Sequence, residues 1–280
     1  MQVNHSNGLN SYKIILVLLF VICGSALAED QTELRYDYTT DIAITSIGVG
    51  AWVGSTVFQG RLATSTCRWC DDNRGDRFFR DHLKWNNTRS ADLISGVTAF
   101  AGAPLAAYGL NGISSFQEDR QRNFLIDALI ITEATVLAVD LNQIVKISVG
   151  RERPFVHALP ASQKSKTNFP ADNNMSFYSG HTTLAFAFTF SSGTVASMRG
   201  YKMAPWIWGT GLVASTATAY LRIAADKHYF TDVLVGAVMG SAVGFAVPYF
   251  FHSPEKSSSS VRVSVIPVTG GGVLLGSISL

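Results

Sequence analysis

Gly236, Gly240 and Gly244 recur every fourth residue through an apolar run that opens at Asp232. In a helix that spacing puts all three on one face, and a face without side chains lets a neighbouring backbone approach closely. The fold must supply that neighbour. Five further apolar runs read as helices: residues 41–58, 91–110, 124–147, 182–198 and 206–220. Gly50 and Gly54 mark the first as another closely packed helix. Pro104 predicts a kink or break in the second, and residues 111–122 read as a polar loop. The expectation is an all-α bundle of six helices. The chain of 280 residues is 47% hydrophobic but only 15% charged, which points to a thick core or to membrane contact. Its net charge of +2 gives no argument for nucleic acid.

The two ends of the chain differ from the middle. Lys13 precedes an apolar run at 14–23, and Ala26-Leu27-Ala28 makes a cleavage site before Glu29, so residues 1–28 read as a secretory signal. Cys23 does not read as a lipoprotein cysteine, because bulky Ile22 stands before it. Residues 29–252 form the helical domain, with a polar insert at 59–90 carrying Cys67-Arg68-Trp69-Cys70. In an exported chain this Cys67/Cys70 pair predicts a local disulfide, and with three cysteines in all there is no second pair for zinc. The charged residues of the insert, Asp71, Asp72, Arg74, Asp76, Arg77, Arg80 and Asp81, read as a solvated, self-paired face. Residues 253–280 read as a Ser-rich linker and a short C-terminal β-hairpin turning at Gly270-Gly271-Gly272. Glu133 and Asp140, seven apart in the third run, share a face and are expected to pair with basic groups in the core.

The connections between the helices hold the chemistry. Lys146 ends the third run, and Pro154 holds Arg153 extended just beyond it. Ser179-Gly180-His181 opens the fourth. Ser179 is placed to cap it, Gly180 lets a ligand approach the main chain, and the free N–H groups of the first turn suit an oxyanion. Arg222 and His228 lie between the fifth run and the sixth. If the helices run up and down, all three patches meet on one face of the bundle. Two arginines, a lysine and a helix N-terminus then form a trap for a tetrahedral anion. His228 and Asp232 are spaced i, i+4, so the carboxylate is expected to accept the Nδ1 proton and leave Nε2 free to attack. His181 stands where it can protonate a leaving group.

The pattern Lys146-x6-Arg153-Pro154, Ser179-Gly180-His181, Arg222-x5-His228-x3-Asp232 resembles the three-part signature of the type 2 phosphatidic acid phosphatase and vanadium haloperoxidase superfamily. The motifs cover residues 146–232, and the helical pattern extends the likeness to about 41–251. The resemblance implies that fold, a six-helix bundle, and a phosphatase that needs no metal or other cofactor. It implies His228 as the nucleophile forming a phosphohistidine, Asp232 orienting it, and His181 as general acid and then base. Lys146, Arg153, Ser179, Gly180 and Arg222 would bind the phosphoryl oxygens. Tyr178 stands where the family usually has proline, and Leu221 where it often has serine.

Several functions remain open on the sequence alone. The leading one is hydrolysis of a phosphate monoester, with a lipid phosphate favoured by the apolar helices and a small phosphate ester as the other substrate class. A vanadium-dependent haloperoxidase, a phosphotransferase and a catalytically silent envelope protein are the alternatives. Vanadate is expected to inhibit a phosphatase and to activate a peroxidase. If six helices spanned a membrane after a cleaved signal, the motif loops and the cysteine pair would face the cytoplasm, where a disulfide does not persist. A periplasmic bundle, soluble or resting on the membrane, removes that conflict. An integral inner-membrane protein is the alternative, supported by Lys and Arg in the loops that would be cytoplasmic.

Overall fold

The computed structural model describes residues 33–254, 260–268 and 271–279. The signal expected at residues 1–28 lies outside the described residues. The described fold is mostly helical, and three of its first four helices start at side-chain caps. Asp37 accepts the Thr40 N–H at 2.7 Å to open α1, Tyr38–Val57. A short turn, α2 (Gln59–Leu62), leads into the insert, where Asn73 caps α3 (Arg74–Leu83) by accepting the Asp76 N–H at 2.9 Å. Asn87 caps α4 (Thr88–Val97) in the same way at 3.0 Å.

The break expected at Pro104 takes an unusual form. A π-helical turn, Thr98–Gly102, joins α4 to α5 (Ala103–Gln117) without interrupting the rod. Proline has no N–H to donate four residues back, and a widened turn absorbs that loss. The loop expected at 111–122 is largely helix. Asn111 Nδ2 donates to the Ala107 carbonyl at 2.8 Å, and Ser114 and Ser115 donate to Leu110 and Gly112 at 2.7 and 2.9 Å. Buried polar side chains that bond back to their own helix carry it through a stretch whose composition suggests a turn.

α6 (Asn123–Val149) follows, then the short turns α7 (Pro154–His157) and α8 (Ala161–Lys164) within the long connection. The remaining helices are α9 (Gly180–Met198), α10 (Ala204–Ala224) and α11 (Phe230–Phe251). α9 is the central rod, packed against α5, α6, α10 and α11. The glycine ladder of α11 faces it: a Cβ on Gly236 would lie 2.8 Å from the Ser179 carbonyl oxygen, and those on Gly240 and Gly244 would strike the carbonyls of Thr183 and Ala187. The core gathers Ala99, Ala103 and Ala107 with Ile126, Ile130, Leu184, Phe188 and Val195. The outer helices also leave large apolar side chains exposed, among them Leu93, Leu105, Phe116, Val213 and Phe250.

The insert docks on this bundle rather than lying free. Cys67 and Cys70 are joined by a disulfide, and Trp69 pairs by main chain with Arg151, its carbonyl accepting the Glu152 N–H at 3.0 Å. Asp76 is fully buried and Arg80 grips Asp226 through two hydrogen bonds of 2.6 and 2.7 Å. The solvated, self-paired face expected for these charges is reduced to Arg77–Asp72 at 3.3 Å. Arg80 and Asp76 instead reach partners that local patterning cannot show. At the far end of the chain the backbone of β1 (Ser260–Val268) pairs antiparallel with β2 (Gly271–Ser279).

Candidate active site

Six of the residues singled out from the sequence line one cavity of about 870 Å³: Lys146, Arg153, Gly180, His181, Arg222 and His228. Each is delivered by a helix end. Gly150, in the left-handed conformation at φ 60°, stops α6 one turn after Lys146 and donates to the Lys146 carbonyl at 3.1 Å. Arg153 is extended before Pro154, and its guanidinium is clamped by Asp172, with Nε on the main-chain oxygen at 2.9 Å and Nη2 on the carboxylate at 2.7 Å. Gly180 begins α9, where a Cβ would meet Asn142 Oδ1 at 3.0 Å and Lys146 Nζ at 3.2 Å. Arg222, on the last turn of α10, donates to Asp92 at 2.6 Å and to Ser95 Oγ at 2.8 Å, while its Nε is buried without a hydrogen-bond partner.

The tautomer of His228 follows from its neighbours. Nδ1 lies 2.8 Å from the Ser176 carbonyl, which can only accept, so Nδ1 carries the proton. Nε2 then holds the lone pair, 3.1 Å from Arg153 Nη1. Asp232 does not take the Nδ1 proton as expected: its carboxylate is 3.7 Å away. Its oxygens are occupied by Arg151, by Ser176 Oγ at 2.6 Å and by the Tyr229 N–H at 2.9 Å. Asp232 therefore positions His228 through Ser176, holding the residue whose carbonyl fixes the ring.

Ser179 also departs from expectation. It precedes α9 as the cap residue, but its hydroxyl bonds Thr182 Oγ1 at 2.8 Å instead of a backbone N–H. Ser179 and Asp232 are fully buried and stand behind the cavity wall. Leu221 points away from the cavity into a cluster with Ala91, Ala224 and Ala225.

The most consequential residue the motif reading passed over is Arg151. It is fully buried, bonded to Asp232, to Asp76 at 2.7 Å and to Thr231 at 2.8 Å, and sandwiched between the rings of Trp69 and Tyr229 at 4.0 and 4.2 Å. The sequence offered one signal, a second arginine two residues before Arg153, but its acidic partners Asp76 and Asp232 are 75 and 81 residues away. Asp172, Asp92 and Lys227 at the cavity wall were likewise missed.

The electrostatics favour an anion. Burial, with repulsion from Arg153 and Arg222, lowers Lys146 to about 7. Burial lowers Arg222 to about 10 against the pull of Asp92. His228 and His181 are held well below the usual histidine range by burial and by the same cations, so both rings are neutral in the empty site. Asp172 remains ionised because Arg153 and Lys146 outweigh its burial. The lining of the cavity also includes the apolar side chains of Trp52, Leu93, Val97, Phe100, Val139 and Leu184. His181 joins the same lining, its ring edge-on to Phe100 at 5.0 Å.

Comparison with known proteins agrees with this geometry. Over 110 residues the chain is 26% identical to the undecaprenyl-diphosphatase of Sulfolobus acidocaldarius, a match covering 39% of this chain and about half, 48%, of that protein. No solved structure matches the chain. The PAP2 superfamily model matches residues 127–255, and this segment, which holds Lys146, Arg153, His181, Arg222 and His228, is similar to that superfamily.

Proposed function

We propose that the chain is a phosphatase acting on a lipid phosphate at a membrane surface through a phosphohistidine on His228. The observation that carries this reading is the cavity itself, whose lining combines Lys146, Arg153 and Arg222 around a neutral imidazole with a set of apolar side chains. An amphiphilic phosphate ester suits such a lining, with its head on the cations and its tail along Phe100, Val97 and Leu93. The activity named for the Sulfolobus relative, an undecaprenyl-diphosphatase, supports a lipid as substrate. Membrane association is supported by two helical stretches long and apolar enough to cross a bilayer, Thr88–Gln117 and Phe230–Phe251.

In this reading His228 Nε2 attacks phosphorus and the P–O bond to the lipid alcohol breaks. The leaving oxygen takes a proton from His181. Water, losing a proton to His181, then breaks the P–N bond and releases inorganic phosphate. Burial and the surrounding cations hold His181 neutral, and a bound phosphate dianion offsets the cations and favours its protonated form. Lys146, Arg153 and Arg222 neutralise the charge on the transferring phosphoryl group. No step requires a metal ion.

The test is phosphate release by the purified chain in detergent, from phosphatidic acid and from an aryl phosphate, beside His228→Asn. Release that vanishes in the variant and is inhibited by vanadate is the expected result. Undiminished release by the variant, or halide oxidation by vanadate-treated protein, would contradict it.

A further inference from the structure

The opposite end of α11 carries a second histidine in an acidic setting. Asp41 on the first turn of α1, Glu133 in α6 and His252 at the end of α11 are all buried, with donor atoms lying within 4.8 Å of one another. Glu133 is thirteen residues before Lys146 on the same helix, about 20 Å at the helical rise, so this cluster is separate from the phosphate cavity. The residues border a second cavity of about 590 Å³, which also touches Arg35, Tyr36 and Asp37.

Two details mark a missing ligand. His252 Nδ1 lies 2.9 Å from the Arg35 carbonyl, which fixes its proton there and aims Nε2 at Glu133. His252 Nε2 and Glu133 Oε2 are 3.7 Å apart, too far for a hydrogen bond, and both are buried without any hydrogen-bond partner. Orphaned buried polar atoms are costly, and two facing each other across a gap ask for something between them. A tetrahedral ion bound at about 2.1 Å would hold its donors about 3.4 Å apart, so modest side-chain rotations close the set. Imidazole nitrogen with two carboxylates suits a first-row divalent metal better than magnesium or calcium.

We infer that Asp41, Glu133 and His252 bind one divalent transition-metal ion such as zinc(II), with its remaining coordination position open to the cavity. The ion ties the start of α1 to α6 and α11. It binds only the folded arrangement and so stabilises it.

The experiment uses the full chain in detergent, stripped with chelator and titrated with cobalt(II), read by the visible ligand-field absorption of a low-coordinate site and by displacement with zinc. One equivalent per chain is expected, with affinity falling at least tenfold in His252→Gln and in the nearly isosteric Asp41→Asn. His157→Gln, an exposed histidine, keeps the full equivalent. If one variant fails to fold, the other decides. Less than one equivalent in the wild type, or binding unchanged in the folded variants, would overturn the inference and leave Glu133 and His252 as an ion pair. Phosphatase activity is not the readout, so failure here is distinct from failure of the catalytic reading.

Discussion

The two ends of α11 hold nearly the same pair. At its start His228 Nδ1 lies 3.7 Å from Asp232; at its end His252 Nε2 lies 3.7 Å from Glu133. Both imidazoles send their Nδ1 proton to a backbone carbonyl, that of Ser176 or that of Arg35. What differs is the company. Asp232 is saturated by Arg151, Ser176 and Tyr229, and the free nitrogen of His228 faces Arg153, where burial and the surrounding cations push the ring toward neutrality. Glu133 keeps an unpartnered oxygen facing the unpartnered Nε2 of His252, with Asp41 close by. A histidine–carboxylate contact therefore says little about chemistry until the surrounding charge is counted. One end is built for an anion, the other for a cation.

The strongest way to break this contrast is His228→Asn, which should lower turnover by about 10⁴-fold or more while the melting temperature stays close to wild type. Next comes Arg151→Met. It strands two buried carboxylates, Asp76 and Asp232, and should cost about 3–5 kcal/mol of stability in a urea titration, with turnover falling as Ser176 loosens. Gly240→Ala drives a methyl into the Thr183 carbonyl and should cost about 1–3 kcal/mol by separating α11 from α9, seen as a lower melting temperature.

A pH titration sharpens the anion end. Lys146 sits at about 7 in the empty site and is charged below that pH. A bound anion favours the charged form, so binding takes up a proton above pH 7 and inhibition by vanadate should weaken as pH rises. Lys146→Met should weaken inhibition about tenfold below pH 7 and by progressively less above it. The smallest effect is expected from Ser179→Ala, about 0.5–1.5 kcal/mol of stability, because its hydroxyl serves Thr182 and does not reach the cavity. A large loss of substrate affinity in that variant would restore Ser179 as a phosphate ligand.

Much of the scaffold is legible in the sequence because local rules govern it. The apolar run at 182–198 becomes α9 with only Gly180 and His181 added, and the glycine spacing of α11 predicts the backbone contact it makes. Lys146, Arg153, Gly180, His181, Arg222 and His228 meet because each sits where a helix ends on the same face. What the sequence hides is long-range pairing. Arg80 with Asp226 spans 146 residues, Arg151 with Asp76 spans 75, and neither has a local periodicity. The i, i+4 spacing of His228 and Asp232 puts them side by side, but Ser176 and Arg151, arriving from another segment, decide which atoms bond. Glu133 met a histidine, as a basic partner was expected, yet at a distance that leaves both atoms unbonded.

The most direct test of the account is to trap the covalent intermediate. Purified chain is mixed with ³²P-labelled phosphatidic acid, quenched in base during turnover, and the labelled peptide is identified by mass spectrometry. The account predicts an acid-labile, base-stable phosphoryl group on His228, present in the wild type and missing in His228→Asn. A label on any other residue, or turnover with no phosphoenzyme at any quench time, would contradict it.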